Sequence, residues 1–567
     1  MGSSTRKPLR RDSPYARLRS VTRAGLSHYT KLVLMEGIED SQAEYPPPRR
    51  RAAILAVLTT NLVIVFAANS TLFVALPAMS RALDANSMQT QWIVAAYSLF
   101  LAAFILVGGQ LARRFGSRAT MAAGLVLFLI ASPIAAFASG AVLTITARCV
   151  MGLGGALIMP GTLETVMVVF PPERRAAAIA VWTSFTGLAG GLGPIVSGVV
   201  VAKFWPGSVF LILIPLVLAS LVAAFVLIPN PRRHGTGRLD WSGTALSLFA
   251  IGLLVFSLIN AQTVGWLTQQ TVVGIFASLA LLIAFLFRES TANSPLLNLR
   301  LFSDRRFSTG FGIMLLIFIG YYGVLYVSLS WLQVALEYSP LESALAWLPY
   351  ALVVMCFTPI QPRITRSIGA RWTAAGATGL CGGGFGLFTI ADPRSGYVAF
   401  GASVVLFSLG MALIVPLTTS FIMAASAAIP DGTGGAAMTN ISRDLGNALG
   451  VAILGSLATT GYLSAVDPND GDLPSGVGAS TPIEALAQAR AAMMGDSEDS
   501  TVRVIQDAYT SGLHLVAIVA AAVCFAASAL IAILLRPNGI RNMGLGTDAP
   551  LTLGKFDPTH TGPPNEG

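Results

Sequence analysis

Residues Gly109 to Arg118 read GQLARRFGSR and stand where the second long apolar segment ends. A degenerate copy, PRITRSIGAR, runs from Pro362 to Arg371 at the end of another apolar segment. Arg113, Gly116 and Arg118 recur as Arg366, Gly369 and Arg371. Two copies of a basic helix-to-helix turn, each at a membrane exit, point to a transporter built from two related halves.

Working outward, the rest of the chain fits a membrane protein. It has 567 residues, 54% hydrophobic and only 11% charged. Its mean hydropathy is +0.70. A soluble globular domain carries about 25% charged residues, so an all-α integral membrane fold is expected. A helix needs about 20 apolar residues to cross the hydrocarbon. The pattern predicts fourteen spans, near 52–78, 91–110, 119–139, 141–169, 176–201, 207–229, 242–261, 270–287, 308–332, 343–361, 372–391, 397–425, 436–461 and 512–536. The alternating segments of about ten residues that mark a spanning β-barrel do not occur.

The net charge of +9 follows the membrane and is no nucleic-acid signal. With a cytoplasmic N-terminus, Arg81, Lys203, Arg394, Arg490 and Arg503 fall outside and Arg148 lies inside a span. The remaining Lys and Arg sit at or near the cytoplasmic face, which favours both termini inside a plasma (inner) membrane. The basic stretch 1–51 lacks a signal-peptide core and reads as a cytoplasmic tail that touches anionic lipid. Met35 offers a second possible start, which would remove residues 1–34 from the protein. Cys149, Cys356, Cys381 and Cys524 fall in apolar segments and read as small packing residues, with no disulfide framework. The polar stretch 463–511 reads as an extracellular loop with a short surface helix within Thr481 to Met494, and the tail from Pro537 as disordered.

The tight turn needs Gly109 and Gly116 for close backbone approach, while Arg113, Arg114 and Arg118 anchor it at the lipid face. A plain positive-inside anchor would use the same arginines. Arg148, in TARCVMGLGGALIMPG, is a charge inside a span and costs about 2.5–3.5 kcal/mol on insertion scales. It serves either proton coupling or a structural bond to carbonyls. Glu164, sixteen residues on, is a candidate proton carrier, or a partner of Arg174 or Arg175. In TGLAGGLGPIVSG, Gly187 and Gly191, and the row Ala189, Gly193 and Ser197, form small faces for close helix packing, and Pro194 can bend the helix. Asp444, in NISRDLGNALG, is a further proton candidate, or a structural partner of Arg443. Asn69, Tyr97, Tyr321, Tyr322 and Tyr326 are candidates to line a cavity for an apolar cargo. Trp92 and Trp331, near segment ends, read as interface anchors.

These motifs resemble the major facilitator superfamily. Its turn signature reads approximately G-x-L-A-D-R-x-G-R-R, and Gly109, Leu111, Ala112, Arg114, Gly116 and Arg118 match it. Arg113 stands where the family has an Asp that helps latch the outward-open state. Around Arg148 the family reads R-x-x-Q-G-x-G-G-A, with Met151 here in place of Gln, and in proton-coupled relatives this Arg is tied to proton transfer. Gly193, Pro194 and Gly198 match the antiporter motif G-x-x-x-G-P-x-x-G-G, which implies export. Ala189 and Ser197 replace two of its glycines. RLDWSGTAL from Arg238 and WLQVALEYSPLESALAWLP from Trp331 look like the fourteen-helix drug:proton antiporters. Relatives carry an Asp in helix one ahead of A-L-P, and Ala68 occupies that place in FAANSTLFVALP.

The resemblance covers about residues 52–536 and implies a definite layout. A six-helix bundle spans 52–230, two extra helices span 240–288, and a second bundle spans 308–536, between cytoplasmic tails at 1–51 and 537–567. A secondary exporter of amphiphilic small molecules, working by alternating access in exchange for protons, is the leading expectation. An uncoupled or differently coupled lipid or metabolite exporter, and a transporter-like receptor, are the alternatives. Neither an H-E-x-x-H motif nor a Walker A loop occurs, so no metal, cofactor or enzymatic activity is expected. A single chain of this kind holds a complete pathway, so a monomer in the bilayer is expected, with cargo and protons as its partners.

Overall fold

In the computed structural model, the glycines of the two basic turns adopt the same unusual backbone. Gly116 has φ 92° and Gly369 has φ 85°. Both are conformations that side chains rarely adopt. Each amide closes the preceding helix, Gly116 N–H on Ala112 O and Gly369 N–H on Thr365 O. The sequence repeat is therefore a repeat of backbone geometry. The structure describes residues 45–229, 240–292, 299–427, 435–466 and 496–534, together with Leu297 and Ala485.

Fourteen helical passages order these described residues. The first six are α1 (Pro48–Ala82), α2 (Ser87–Phe115), α3 (Ser117–Ala136), α4 (Ala141–Val169), α5 (Pro172–Lys203) and α6 (Ser208–Leu227, interrupted after Leu211). Next come α7 (Trp241–Val264) and α8 (Gln269–Thr291). The last six are α9 (Arg305–Val334), α10 (Pro340–Ile368, broken at Trp347 and by a 3-10 turn at Thr358–Ile360), α11 (Ala370–Leu387), α12 (Tyr397–Ala427), α13 (Gly435–Ala465) and α14 (Asp496–Leu534). Twelve of them are long and apolar enough to cross a membrane. The fourteen expected spans thus find twelve clear counterparts. Arg371 and a run of glycines lower the hydropathy of α11, and α5 is the other passage outside the twelve.

Local chemistry sets the ends. Asn86 caps α2 in a reciprocal box with Gln89, its side chain accepting from Gln89 N at 2.9 Å. Asp240 caps α7 by accepting from Gly243 N at 2.9 Å, which accounts for the RLDWSG stretch. Ser339 and Glu342 form a second box at the start of α10. Between spans the surface is apolar. Phe276, Ile283 and Phe287 of α8 are exposed, an arrangement stable only against lipid.

Helices α1 to α6 pack mainly on one another, and α9 to α14 do the same. The two sets meet through α2 with α13, α5 with α10, and α1 with both α9 and α10. Helix α7 packs on both α2 and α13, and α8 packs on α7. A satellite apolar core of Ala95, Val255, Leu258, Ile259, Ala448 and Ala452 fills that junction, with Trp92 packed against it.

Several expectations change. Helix α14 begins at Asp496, so part of the expected 463–511 loop is helix. Ile505, Ala508 and Tyr509 bury one face of that extension, and Gln506 Nε2 donates to Val334 O at 3.3 Å. The surface helix expected within Thr481 to Met494 lies outside the described residues apart from Ala485, which is buried. The expected N-terminal tail before residue 45 and the tail from 537 lie outside them entirely. Trp331 is no interface anchor, being fully buried with its indole N–H on Thr510 Oγ1 at 2.9 Å.

Candidate functional site at the contact between the bundles

Hydrogen bonds across the bundles gather in the half of the molecule near the α1–α2 turn. Gln333 Nε2 donates to Val74 O at 3.2 Å, and Ser87 Oγ lies 3.2 Å from Thr459 Oγ1. Ser456 Oγ donates to Gln91 Oε1 at 3.3 Å, and Asn447 Nδ2 to Ser98 Oγ at 2.7 Å. Helix α7 joins this lock, because Gln262 Oε1 accepts from both Ser87 Oγ and Gln91 Nε2 at 3.0 Å. Gln91, fully buried in an apolar segment, went unnoticed in the sequence, although a buried amide there is itself a signal.

The antiporter-like motif sits in the same half. A Cβ on Gly193 would lie 2.0 Å from Ser70 Oγ, so α5 lies directly on α1. A Cβ on Gly198 would lie 2.7 Å from Leu341 Cα of α10. Pro194 lies inside the same helix. The packing faces at Gly187 and Gly191 lie outside what the structure describes. By contrast, the last part of α10, Gln361–Ile368, packs on α11 and α12 of its own bundle. Among the described residues, the hydrogen bonds between the bundles thus cluster on the side of the α1–α2 turn, away from Gly116 and Gly369.

Near mid-helix the candidate residues separate into distinct settings. Arg148 is fully buried. Its Nε donates to Ile93 O at 3.0 Å and its Nη1 to Ala68 O at 2.8 Å, while Nη2 is buried without a partner. The guanidinium lies 4.3 Å from the centre of the Tyr97 ring, and Tyr97 Oη donates to Val65 O at 2.7 Å. Arg148 and Tyr97 thus brace α1, α2 and α4 from within one bundle. Asn69 is buried with an unpartnered Oδ1.

Asp444 is 3% exposed, and its Oδ2 is buried without a hydrogen-bond partner. Of the two alternatives, the ion pair with Arg443 is not formed among the described residues. Neighbouring helix positions point about 100° apart, and Arg443 instead donates to Asn440 Oδ1 at 2.8 Å. Its guanidinium lies 4.0 Å from the centre of the Phe66 ring on α1. Tyr322 stacks on Phe73 across the bundles at 6.0 Å and lies within electrostatic reach of both Arg443 and Asp444. Tyr321 stacks on Tyr350 and Phe407 within its own bundle. Tyr326 packs near Gly455 at the lock.

At the turn, Glu164 reaches neither Arg174 nor Arg175 among the described ion pairs. Its Oε2 accepts from Ser117 Oγ at 2.9 Å, tying α4 to the first turn of α3, while Arg175 Nε donates to Phe170 O. Arg113 and Arg114 are exposed and Arg118 is half-buried. Gly109 is not the close-contact glycine. Its Cβ would meet nothing nearer than 3.7 Å, whereas one on Gly108 would lie 2.1 Å from Ala156 O.

Among the described residues, no three His, Cys, Asp or Glu stand together as a metal site. A surface cavity of about 560 Å³, lined by Asp84, Gln89 and Thr146 among others, lies outside the bundle contact.

Two helical sets that meet along four helix pairs among the described residues, with polar and charged groups buried between them, define a multi-pass membrane transporter. The chain belongs to the Major Facilitator Superfamily, whose sequence model matches residues 58–451. It is 29% identical over 485 residues to the multidrug efflux pump LfrA of Mycolicibacterium smegmatis, covering 85% of this chain and 95% of that one. It is 29% identical over 490 residues to the tetracenomycin C resistance and export protein of Streptomyces glaucescens, covering 82% and 89%. The methyl viologen resistance protein SmvA of Salmonella typhimurium is 30% identical over 415 residues, covering 72% and 83%. In fold, the chain is similar to a bacterial homologue of the human lysosomal transporter Spinster solved in an inward-facing, unoccupied conformation, with TM-score 0.60, 14% identity and coverage of 86% and 98%. The superfamily and these relatives together support a membrane transporter.

Proposed function

We propose that this chain is a proton-coupled exporter of amphiphilic small molecules, and that Asp444 carries the proton. The bundles over 52–230 and 308–536 rock about their contact, and the helices over 240–288 complete fourteen spans. Both termini lie in the cytoplasm and the end of the bundles that carries Gly116 and Gly369 faces it, in keeping with the basic residues there. One chain in the plasma membrane suffices, with cargo, protons and lipid as its partners.

Asp444 is the observation that supports this reading. It is a buried carboxylate without a counter-ion bond, set where the bundles meet. A carboxylate so placed is least costly when neutral, and an opening that wets it favours release of its proton. Arg148 then serves as a brace between α1, α2 and α4. Glu164, bonded to Ser117, serves the turn.

One observation favours an uncoupled carrier. Ala68 leaves α1 without the acid that relatives use, and Arg148 fills that place by bonding the Ala68 carbonyl. Flux in proteoliposomes under an imposed pH gradient separates the two readings. Proton coupling through Asp444 expects gradient-driven flux that Asp444→Asn abolishes and Glu164→Gln spares. Flux indifferent to the gradient in the unaltered protein would select the uncoupled carrier.

A further inference from the structure

We infer that Arg443 and Asp444 together select an uncharged aromatic cargo carrying both a hydroxyl and a carbonyl, and that Arg443 excludes organic cations. The inference rests on the exporter reading and names its substrate class.

Arg443 and Asp444 are adjacent on α13, one helical turn from the Asn447–Ser98 bond on the side away from the α1–α2 turn. Each keeps an unused buried polar atom. Arg443 Nε is a donor without a partner, and Asp444 Oδ2 is an acceptor without one. Because the two residues do not bond each other, both capacities become open to a ligand once the bundles part around them. The surrounding walls are aromatic. Phe66 lies under the Arg443 guanidinium, and Phe73 and Tyr322 stack from opposite bundles.

Charge narrows the choice. A carboxylate in an aromatic pocket on its own would attract organic cations. Here a permanent guanidinium stands beside it, held by Asn440, so a cation gains little. A neutral ring with a hydroxyl satisfies Asp444 as donor, and its carbonyl satisfies Arg443 as acceptor. A polar site of this kind rejects a ligand that leaves its buried groups unpaired. The arrangement also gives exchange its sign. A protonated Asp444 no longer accepts through that oxygen, so proton binding weakens cargo binding.

The test is equilibrium binding to the full-length protein in lipid nanodiscs, with empty nanodiscs subtracted. The probes are a dihydroxyanthraquinone, unsubstituted anthraquinone and ethidium. The unaltered protein should bind the hydroxylated ring roughly tenfold tighter than either other probe. Arg443→Gln should remove that preference and admit ethidium, whereas Arg443→Lys, which keeps the charge, should still exclude it. Ethidium binding as tight as the dihydroxyanthraquinone in the unaltered protein, or an unchanged ratio in Arg443→Gln, overturns the inference. Flux is measured separately. Selective binding without flux would count against the exporter reading and leave the site standing, whereas flux with an unchanged ratio would count against the site alone.

Discussion

Arg148 Nη1 donates to the carbonyl oxygen of Ala68 at 2.8 Å. The guanidinium therefore bonds the backbone of the very residue that replaces the acid of related transporters. A buried charge survives there because Ile93 O and the Tyr97 ring share it.

Removing this brace should cost stability before it affects transport. Arg148→Ala strips two carbonyls of their donor and leaves a cavity, a loss of about 3–5 kcal/mol. Arg148→Met fills the space and should lose less. Thermal unfolding in detergent, followed by intrinsic fluorescence, ranks the two. Equal midpoints for unaltered protein and Arg148→Ala would show that the bonds carry nothing.

The neighbouring glycines of the turn should respond oppositely. Gly108→Ala drives a methyl into Ala156 O and should destabilise by about 1–3 kcal/mol through overpacking of α2 on α4. Gly109→Ala meets only ordinary contacts and gains helix propensity, so it should be neutral or stabilising by up to ~1 kcal/mol. The same unfolding assay decides, and a loss at Gly109 matching that at Gly108 would contradict the geometry.

A wedge at Gly198 should shift the conformational equilibrium. A Cβ there meets the backbone of Leu341, so Gly198→Val disfavours closure near the α1–α2 turn. About 1–3 kcal/mol of strain corresponds to a population change of roughly 5- to 150-fold. Spin-label distances between α5 and α10 should lengthen in the variant, and unchanged distances would refute the close contact of α5 with α10.

The junction of α7 and α8 carries a pH signature. Burial pushes the Asp240 carboxyl up, but hydrogen bonds from Gly243 and Ser242, with Arg288 at 3.3 Å, outweigh it and hold the group below the usual carboxylate range. A depressed folded value means the contribution is complete above the unfolded value, about pH 3.9. It is lost as pH falls through the folded value. The stability gap between the unaltered protein and Asp240→Asn should thus be full at neutral pH and close only in strong acid. A gap independent of pH would assign the effect to shape alone.

Much of this was legible in the chain because lipid imposes simple rules. A backbone in hydrocarbon must bond to itself, so long apolar runs had to be helices. The repeated Gly116 and Gly369 were readable as turns for the same reason, and their shared positive φ bears that out. Less legible was anything that depends on which helix face meets which. Gly108 and Gly109 are equivalent as letters, and only the approach of α4 distinguishes them. Trp331 has the composition of an interface anchor, yet Thr510 and Phe400 enclose it. The amphipathic start of α14 is too polar for a span and becomes helix only by packing beside Val334.

By itself, then, the sequence determined the helical membrane fold, its two related halves and the kinship carried by the turn and antiporter-like motifs, because hydropathy and glycine conformation act locally. Only the tertiary structure decided that Arg148 bonds Ala68, that Arg443 turns away from Asp444 onto Phe66, and that Gln262 joins α7 to the lock. Those outcomes depend on distances between residues far apart in the chain, where a charge's role is set by the partner that packing brings to it.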